Sequence, residues 1–200
     1  MRRWTSLAAL ALAAAAISAC GGGGGGPTPQ PVPAGWGADL PGQPAYPAFP
    51  TPGQHWVIDA GCHFDAAAVA SSDAAFEKLR LDGVAEVAVL CVPGVKELGG
   101  ANDGLIWLRN WTRHVRLGSA GDDRSIAFLI RPDIDPARGD RVVAEQSVHL
   151  YLSVVDYGPI VENAADWANA GQFTGALSEI TRDIDAALRL RAAPTPTPTV

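Results

Sequence analysis

The sequence predicts an α/β fold, a single domain of the three-layer type in which helices flank a mixed, mainly parallel sheet. Two apolar runs, 84–92 and 125–130, are bounded by glycine, proline and charged turns. Such runs are typical of strands that are covered on both faces. The amphipathic segment 103–117 lies between them. Because a helix separates the two strands, they favour a parallel βαβ unit over a hairpin.

A first βα unit precedes this core. Residues 55–59 are a short strand candidate, and Asp65 is a candidate N-cap for a helix that runs to about Leu81. Gly83 predicts the end of that helix, since glycine accepts a left-handed backbone. In the same way Gly118 predicts the end of the central helix.

The C-terminal part predicts one more strand and two helices. Residues 147–155 alternate apolar and polar side chains, which predicts a strand near the edge of the sheet. The connection from 125–130 is short and broken by proline and glycine, so we expect this strand to be antiparallel. Segment 159–169 predicts a short helix, and 172–191 predicts the most clearly amphipathic helix of the chain.

The N-terminus predicts export and lipid attachment. Arg2 and Arg3 precede an apolar stretch of about eleven residues, 7–17, which is too short to span about 30 Å of hydrocarbon as a helix. The small residues before Cys20 resemble the lipobox of bacterial lipoproteins, in which the cysteine is acylated and becomes the first mature residue. Residues 1–19 are then the signal peptide, and lipidated Cys20 is the membrane anchor. An ordinary secretory signal with an incidental cysteine is the alternative.

Composition divides the remaining chain into three parts. Residues 20–54 begin with six glycines and continue with recurring prolines, as in an extended tether. Residues 55–191 form the globular domain, and 192–200 are a disordered tail rich in threonine and proline.

The formal net charge of −6 disfavours nucleic-acid binding, since such a surface repels phosphodiester backbones.

Two thiols remain after the lipidated cysteine. In an oxidising compartment an isolated pair commonly bridges, so a Cys62–Cys91 disulfide is predicted, with two buried free thiols as the alternative. The histidines lie at none of the spacings that place two imidazoles on one helix face, so the sequence predicts no zinc site.

Five short segments follow one another in a recognisable order: Val57-Ile-Asp59, Cys91-Val-Pro-Gly94, Leu108-Arg-Asn-Trp111, Asp122-Asp-Arg124 and Asn169 to Leu177. Together they resemble the TPM domain family of exported, membrane-tethered α/β domains. The resemblance covers about residues 56–190. It implies a cell-envelope domain that acts as an accessory or binding module, or alternatively as a weak acid phosphatase that depends on calcium.

The chain departs from the family pattern in its loops and lacks the usual C-terminal transmembrane helix, whose tethering role passes to Cys20. No nucleophile motif such as GxSxG or a P-loop is present.

Carboxylates remain as candidate ligands. The predicted strand order places Asp122, Asp123 and Asp156 on one edge of the sheet, where they are candidate calcium ligands, with solvated turn aspartates as the alternative. A partner protein of the envelope is the expected binding target.

Overall fold

The computed structural model describes residues 42–47, 55–97, 103–118, 123–150 and 152–192. Within these ranges four strands and four helices follow one another along the chain. Their order is β1 (Val57–Asp59), α1 (Ala66–Leu81), β2 (Glu86–Cys91), α2 (Asp103–Val115), β3 (Ser125–Ile130), β4 (Val142–Gln146), α3 (Val154–Asn169) and α4 (Phe173–Ala192). No helix in the described part of the chain is long and apolar enough to cross a membrane.

The strands form one mixed sheet in the order β1-β2-β3-β4. The first three strands are parallel, and β4 is antiparallel to β3, with Phe128 opposite Ala144. Every residue of β2 and β3 is buried. The predicted α/β fold with a mainly parallel sheet is therefore confirmed, and both faces of its centre are covered.

The helices cover the two faces unequally. Helix α4 packs against both α1 and α3, and these three helices form one layer. Helix α2 covers the other face over β3 and β4, where Arg109 pairs with Glu145 and the Ser125 hydroxyl donates to the Leu117 carbonyl just beyond α2. This second contact region holds the candidate site described below.

The predicted strand 147–155 is wrong in position, although its antiparallel direction is right. The strand that pairs with β3 is β4, at Val142–Gln146, and residues 147–150 form a turn. Helix α3 then begins at Val154, five residues before the predicted start at 159. Its first turn is capped by Asp156, whose carboxylate accepts hydrogen bonds from the N–H and the hydroxyl of Ser153 at 2.8 and 2.7 Å. This cap outweighs the β-forming tendency of Val154 and Val155, which are left exposed.

Part of the predicted tether packs against the domain. The indole N–H of Trp107 donates to the Pro44 carbonyl at 3.1 Å, and that of Trp111 donates to the Pro47 carbonyl at 3.0 Å. The ring of Tyr46 contacts the rings of Trp107 and His114. Residues 42–47 therefore form a strap across α2, and the folded unit extends beyond the boundary at residue 55 that composition indicates.

A disulfide joins Cys62 to Cys91, with their Cα atoms 5.9 Å apart. It links the loop after β1 to the last residue of β2, so it ties together two neighbouring strands at their carboxyl ends. Cys20 lies outside the described residues.

Candidate functional site

A cleft of about 550 Å³ lies between the last two turns of α2 and the end of β4. Asp123 and Ser125, where the chain enters β3, and Ser147 and Val148, in the turn after β4, complete its walls. Most of the residues that line it carry a charged or hydroxylated side chain, namely Arg109, Arg113, Arg116, Asp123, Glu145, Thr112, Ser125 and Ser147. Three arginines on one wall are notable in a chain with a net charge of −6.

The arginines come from the second half of α2 and the residue that follows it. Arg109 and Arg113 are four residues apart and lie on the same side of α2, and Arg116 comes directly after the last residue of the helix. This spacing is visible in the sequence and was the available signal for the cleft. The residues predicted to bind ligands were carboxylates, so the cleft was not among the predicted sites.

Arg109 is already neutralised. Two of its guanidinium nitrogens donate to the two carboxylate oxygens of Glu145 at 2.7 and 3.2 Å. The hydrogen bond that Arg109 donates to Glu145, together with the charge of this carboxylate, raises the pKa of Arg109 above its ordinary value. The pair joins α2 to β4, and both of its residues line the cleft.

Arg116 occupies an uncommon backbone position. The N–H of Leu117 donates to the Thr112 carbonyl at 3.0 Å, and that of Arg116 donates to the Arg113 carbonyl at 3.3 Å. These two bonds are the Schellman ending of a helix, with Arg116 as the left-handed residue at φ 56°. Helix α2 thus ends at Val115, and Arg116, rather than the predicted Gly118, is the residue that stops it.

Asp123 and the serines complete the opposite wall. The Asp123 carboxylate lies 3.5 Å from Nδ1 of His149, and both side chains are about half exposed. The Ser147 hydroxyl donates to the Asp123 carbonyl and accepts from the Ser125 N–H at 2.9 Å. Because the Ser125 hydroxyl donates to the Leu117 carbonyl at 3.2 Å, both hydroxyls have structural bonds, and neither is paired with a general base from the described part of the chain.

The three predicted calcium ligands have different surroundings. Asp123 lies in the cleft, and Asp122 lies outside the described residues. Asp156 accepts from the guanidinium of Arg191 at 2.6 and 2.8 Å, in addition to capping α3. Within the described ranges, no group of three or more His, Cys, Asp or Glu side chains is arranged to hold a metal ion.

Acidic residues at the opposite edge of the sheet have structural partners. The Asp59 carboxylate accepts from the backbone N–H groups of residues 61 to 64 at 2.6 to 3.1 Å. Burial opposes its ionisation, but these four donors outweigh burial and lower the pKa of Asp59. Asp133 accepts from the Gly94 N–H at 2.8 Å. These carboxylates organise the loops after β1 and β2.

Comparison with known proteins shows similarity at the level of the fold. No protein-family model matches the chain, and no curated protein matches it significantly. The solution structure of the N-terminal domain of a P. gingivalis protein is similar, with a TM-score of 0.55 and 18% identity over 70% of this chain and 85% of that chain. The N-terminal domain of the cg2496 protein from Corynebacterium glutamicum has a TM-score of 0.50 and 8% identity over 67% of this chain and 80% of that chain.

These likenesses define the fold class of the chain. The chain shares its α/β architecture with domains that stand at the N-termini of bacterial proteins. At these identities the likeness shows the fold alone.

Proposed function

We propose that the protein is a membrane-anchored bacterial lipoprotein whose domain, a TPM-like domain, acts as an accessory or binding module at the cell envelope. Residues 1–19 direct export, lipidated Cys20 anchors the chain, and the segment after it spaces the domain from the membrane. The proposal rests on the sequence order of signal, cysteine and tether, and on one structural observation, the charged cleft between α2 and β4.

The cleft suits binding better than catalysis. Its volume is within the range of small-ligand sites, and it offers charged groups that orient a partner. Hydrolysis of a phosphate ester additionally needs a nucleophile or an activated water. The serine hydroxyls of the cleft are occupied by backbone bonds. We therefore place recognition of an envelope partner in this cleft.

The binding role is tested by filling the cleft. Thr112 lines it and donates its hydroxyl to the Arg109 carbonyl within α2. Ser178 on α4 likewise donates to a carbonyl of its own helix, but lies on an exposed surface elsewhere. Thr112→Trp is expected to abolish recovery of a crosslinked envelope component from membranes, whereas Ser178→Trp leaves recovery unchanged. Equal recovery by both variants contradicts the proposal.

The anchor is tested separately. Cells that express the wild type or Cys20→Ala are labelled with a fatty-acid probe, and their membranes are sedimented. The wild type is expected to carry the label and to sediment with the membranes, because more than one acyl chain gives durable attachment. Equal labelling of the two proteins contradicts the anchor.

A weak, calcium-dependent acid phosphatase is the second candidate. The observation that favours it is the placement of Asp123 and His149, 3.5 Å apart, beside arginines that bind oxyanions. The test is release of nitrophenol from nitrophenyl phosphate, with and without calcium. Turnover that is lost in Asp123→Asn favours the enzyme, while the binding role predicts no turnover in either protein.

A further inference from the structure

Three helices of this domain end in the same way, and one of them uses an unexpected residue. Helices α1, α2 and α3 all close with the paired backbone bonds of the Schellman ending. Its left-handed position is occupied by Gly83 in α1 and by Gly171 in α3, at φ 67° and 74°. Helix α2 has Arg116 there. A side chain with a Cβ atom is disfavoured in this conformation, and glycine is not.

The helix dipole does not account for this arginine. A cation near the C-terminus of a helix is favourable, but α2 already carries Arg113 and His114 in its last turn, where the backbone is helical. A third cation in a left-handed position adds backbone strain, and its additional interaction with the helix dipole is small. Unfavourable backbone positions of this kind cluster at functional sites. Asp123, at φ 55°, is a second non-glycine example in the same cleft.

The side chain of Arg116 is also uncommitted. It is half-buried and lines the cleft, yet among the described residues it has no side-chain hydrogen bond or ion pair. Arg109 is bound to Glu145, and Arg113 has an interaction of its own. One guanidinium, with its planar set of N–H donors, is therefore available to a ligand.

We propose that Arg116 is a ligand-binding residue that receives a carboxylate group of the envelope partner. This inference rests on the proposed function and names the chemical class that the cleft recognises. A guanidinium binds a carboxylate through two parallel hydrogen bonds. The single positive charge of Arg116 matches a singly charged oxyanion. A doubly charged phosphate monoester fits poorly, since Asp123 and the C-terminal end of α2 add negative potential.

The first test measures binding of acetate to the full mature chain at constant ionic strength. The chemical shift of the Ser147 amide, which lies in the cleft, reports occupancy in every variant. Arg116→Gly is expected to weaken acetate binding by at least about tenfold, because a charge-assisted pair is lost. Arg116→Lys keeps the positive charge but loses the planar pair of N–H donors. Its affinity for acetate is expected to lie between those of the wild type and Arg116→Gly. Acetate binding that is unchanged in Arg116→Gly overturns the proposal.

The second test measures strain. Arg116→Gly is expected to raise Tm by roughly 2–4 °C, since it removes a left-handed side chain. Gly171→Arg is the matched control, because it places the same side chain in the same ending where nothing lies near the new Cβ atom. It is expected to lower Tm by a similar amount and to leave acetate binding unchanged. A Tm that falls in Arg116→Gly overturns the argument.

The carboxylate assignment and the proposed binding function can be disproved independently of each other. Phenyl phosphate that binds more tightly than acetate overturns the carboxylate assignment. If acetate does not bind but Thr112→Trp still abolishes partner recovery, the carboxylate site is wrong and the binding module stands. If Arg116 binds acetate but Thr112→Trp has no effect on recovery, the carboxylate site stands and the proposed function is wrong.

Discussion

Arg131 is the buried charge around which the carboxyl end of the sheet is organised. Its side chain is 1% exposed and pairs with Glu97 at 2.5 Å, and it also donates to the Asp140 carbonyl. A Cβ atom at Gly104 would lie 2.6 Å from the guanidinium carbon, so a glycine in the first turn of α2 gives this side chain its space. Glu97 in turn accepts from the Asp103 N–H at 2.8 Å at the start of α2.

Glu97→Gln is predicted to destabilise the domain by roughly 3 kcal/mol, because it leaves a buried guanidinium without its counter-charge. The measurement is the free energy of unfolding by denaturant. Glu162→Gln, at an exposed position of α3, is the control and is expected to change it by less than about 0.5 kcal/mol. Equal effects of the two substitutions contradict the role of the pair.

The ion pair and hydrogen bonds of Asp156 are expected to make the stability of the domain depend on pH. The hydrogen bond from Arg191, followed by those from Ser153, lowers the pKa of Asp156 from 3.8 to about 2. A carboxyl with a lowered folded-state pKa stabilises the fold when ionised, and the effect is lost as the pH falls through the folded-state value. Asp156→Asn is therefore expected to lower Tm at neutral pH, and its difference from the wild type shrinks between about pH 4 and pH 2.

The control for this titration is Asp166→Asn, which removes an exposed charge from the same helix and neither partner of Asp156. The difference in Tm between Asp166→Asn and the wild type is expected to stay constant between about pH 4 and pH 2. A constant difference between Asp156→Asn and the wild type from neutral pH to pH 2 contradicts the prediction.

At the scale of elements, apolar patterning predicted the buried strands well and the edge strand poorly. Strands β2 and β3 are buried at every position, so their runs are continuous and easily recognised. Strand β4 contains Glu145 and Gln146 and is only partly buried, which weakens its pattern. The alternation in 147–155 belongs instead to a turn and the start of α3. The pattern Ser153-x-x-Asp156 was the local signal for that helix start.

Pro159 occupies an uncommon position in α3. Proline is common in the first turn of a helix and is disfavoured further along it. The structure places it inside α3. The Ser153–Asp156 cap and the packing of α3 against α4 therefore outweigh the backbone bond that proline cannot make.

The strap 42–47 is predicted to contribute to stability. A chain that begins at residue 55 loses the carbonyls that accept from Trp107 and Trp111, and it also loses the ring contacts of Tyr46. We expect a loss of roughly 2 kcal/mol, since each hydrogen bond contributes about 1 kcal/mol. We also expect a red-shifted tryptophan fluorescence, because water reaches both indoles.

Removal of residues 193–200 is the control for that truncation, since the sequence predicts a disordered tail there. It is expected to leave Tm and fluorescence unchanged. If the chain that begins at 55 also keeps both values, the strap does not contribute to the folded unit.

At the scale of the whole molecule, the fold followed from the sequence while the cleft did not. The fold depends on long apolar runs and helix spacing, which are local patterns. The cleft depends on how α2 lies across β3 and β4, so it joins residues that are distant in sequence, such as Arg109 and Glu145. The conformation of Arg116 is less visible still, because nothing in its own residue type predicts a left-handed backbone.

The central claim, that the cleft is where the tethered domain meets its envelope partner, is tested most directly by photo-crosslinking in cells. Val148 lines the cleft and is 79% exposed, while Leu190 on α4 is 78% exposed, so the two positions are matched in type and accessibility. A photoreactive residue at 148 is predicted to give a discrete crosslink to an envelope component, and one at 190 to give none. No crosslink from 148, or the same product from both positions, would contradict the account.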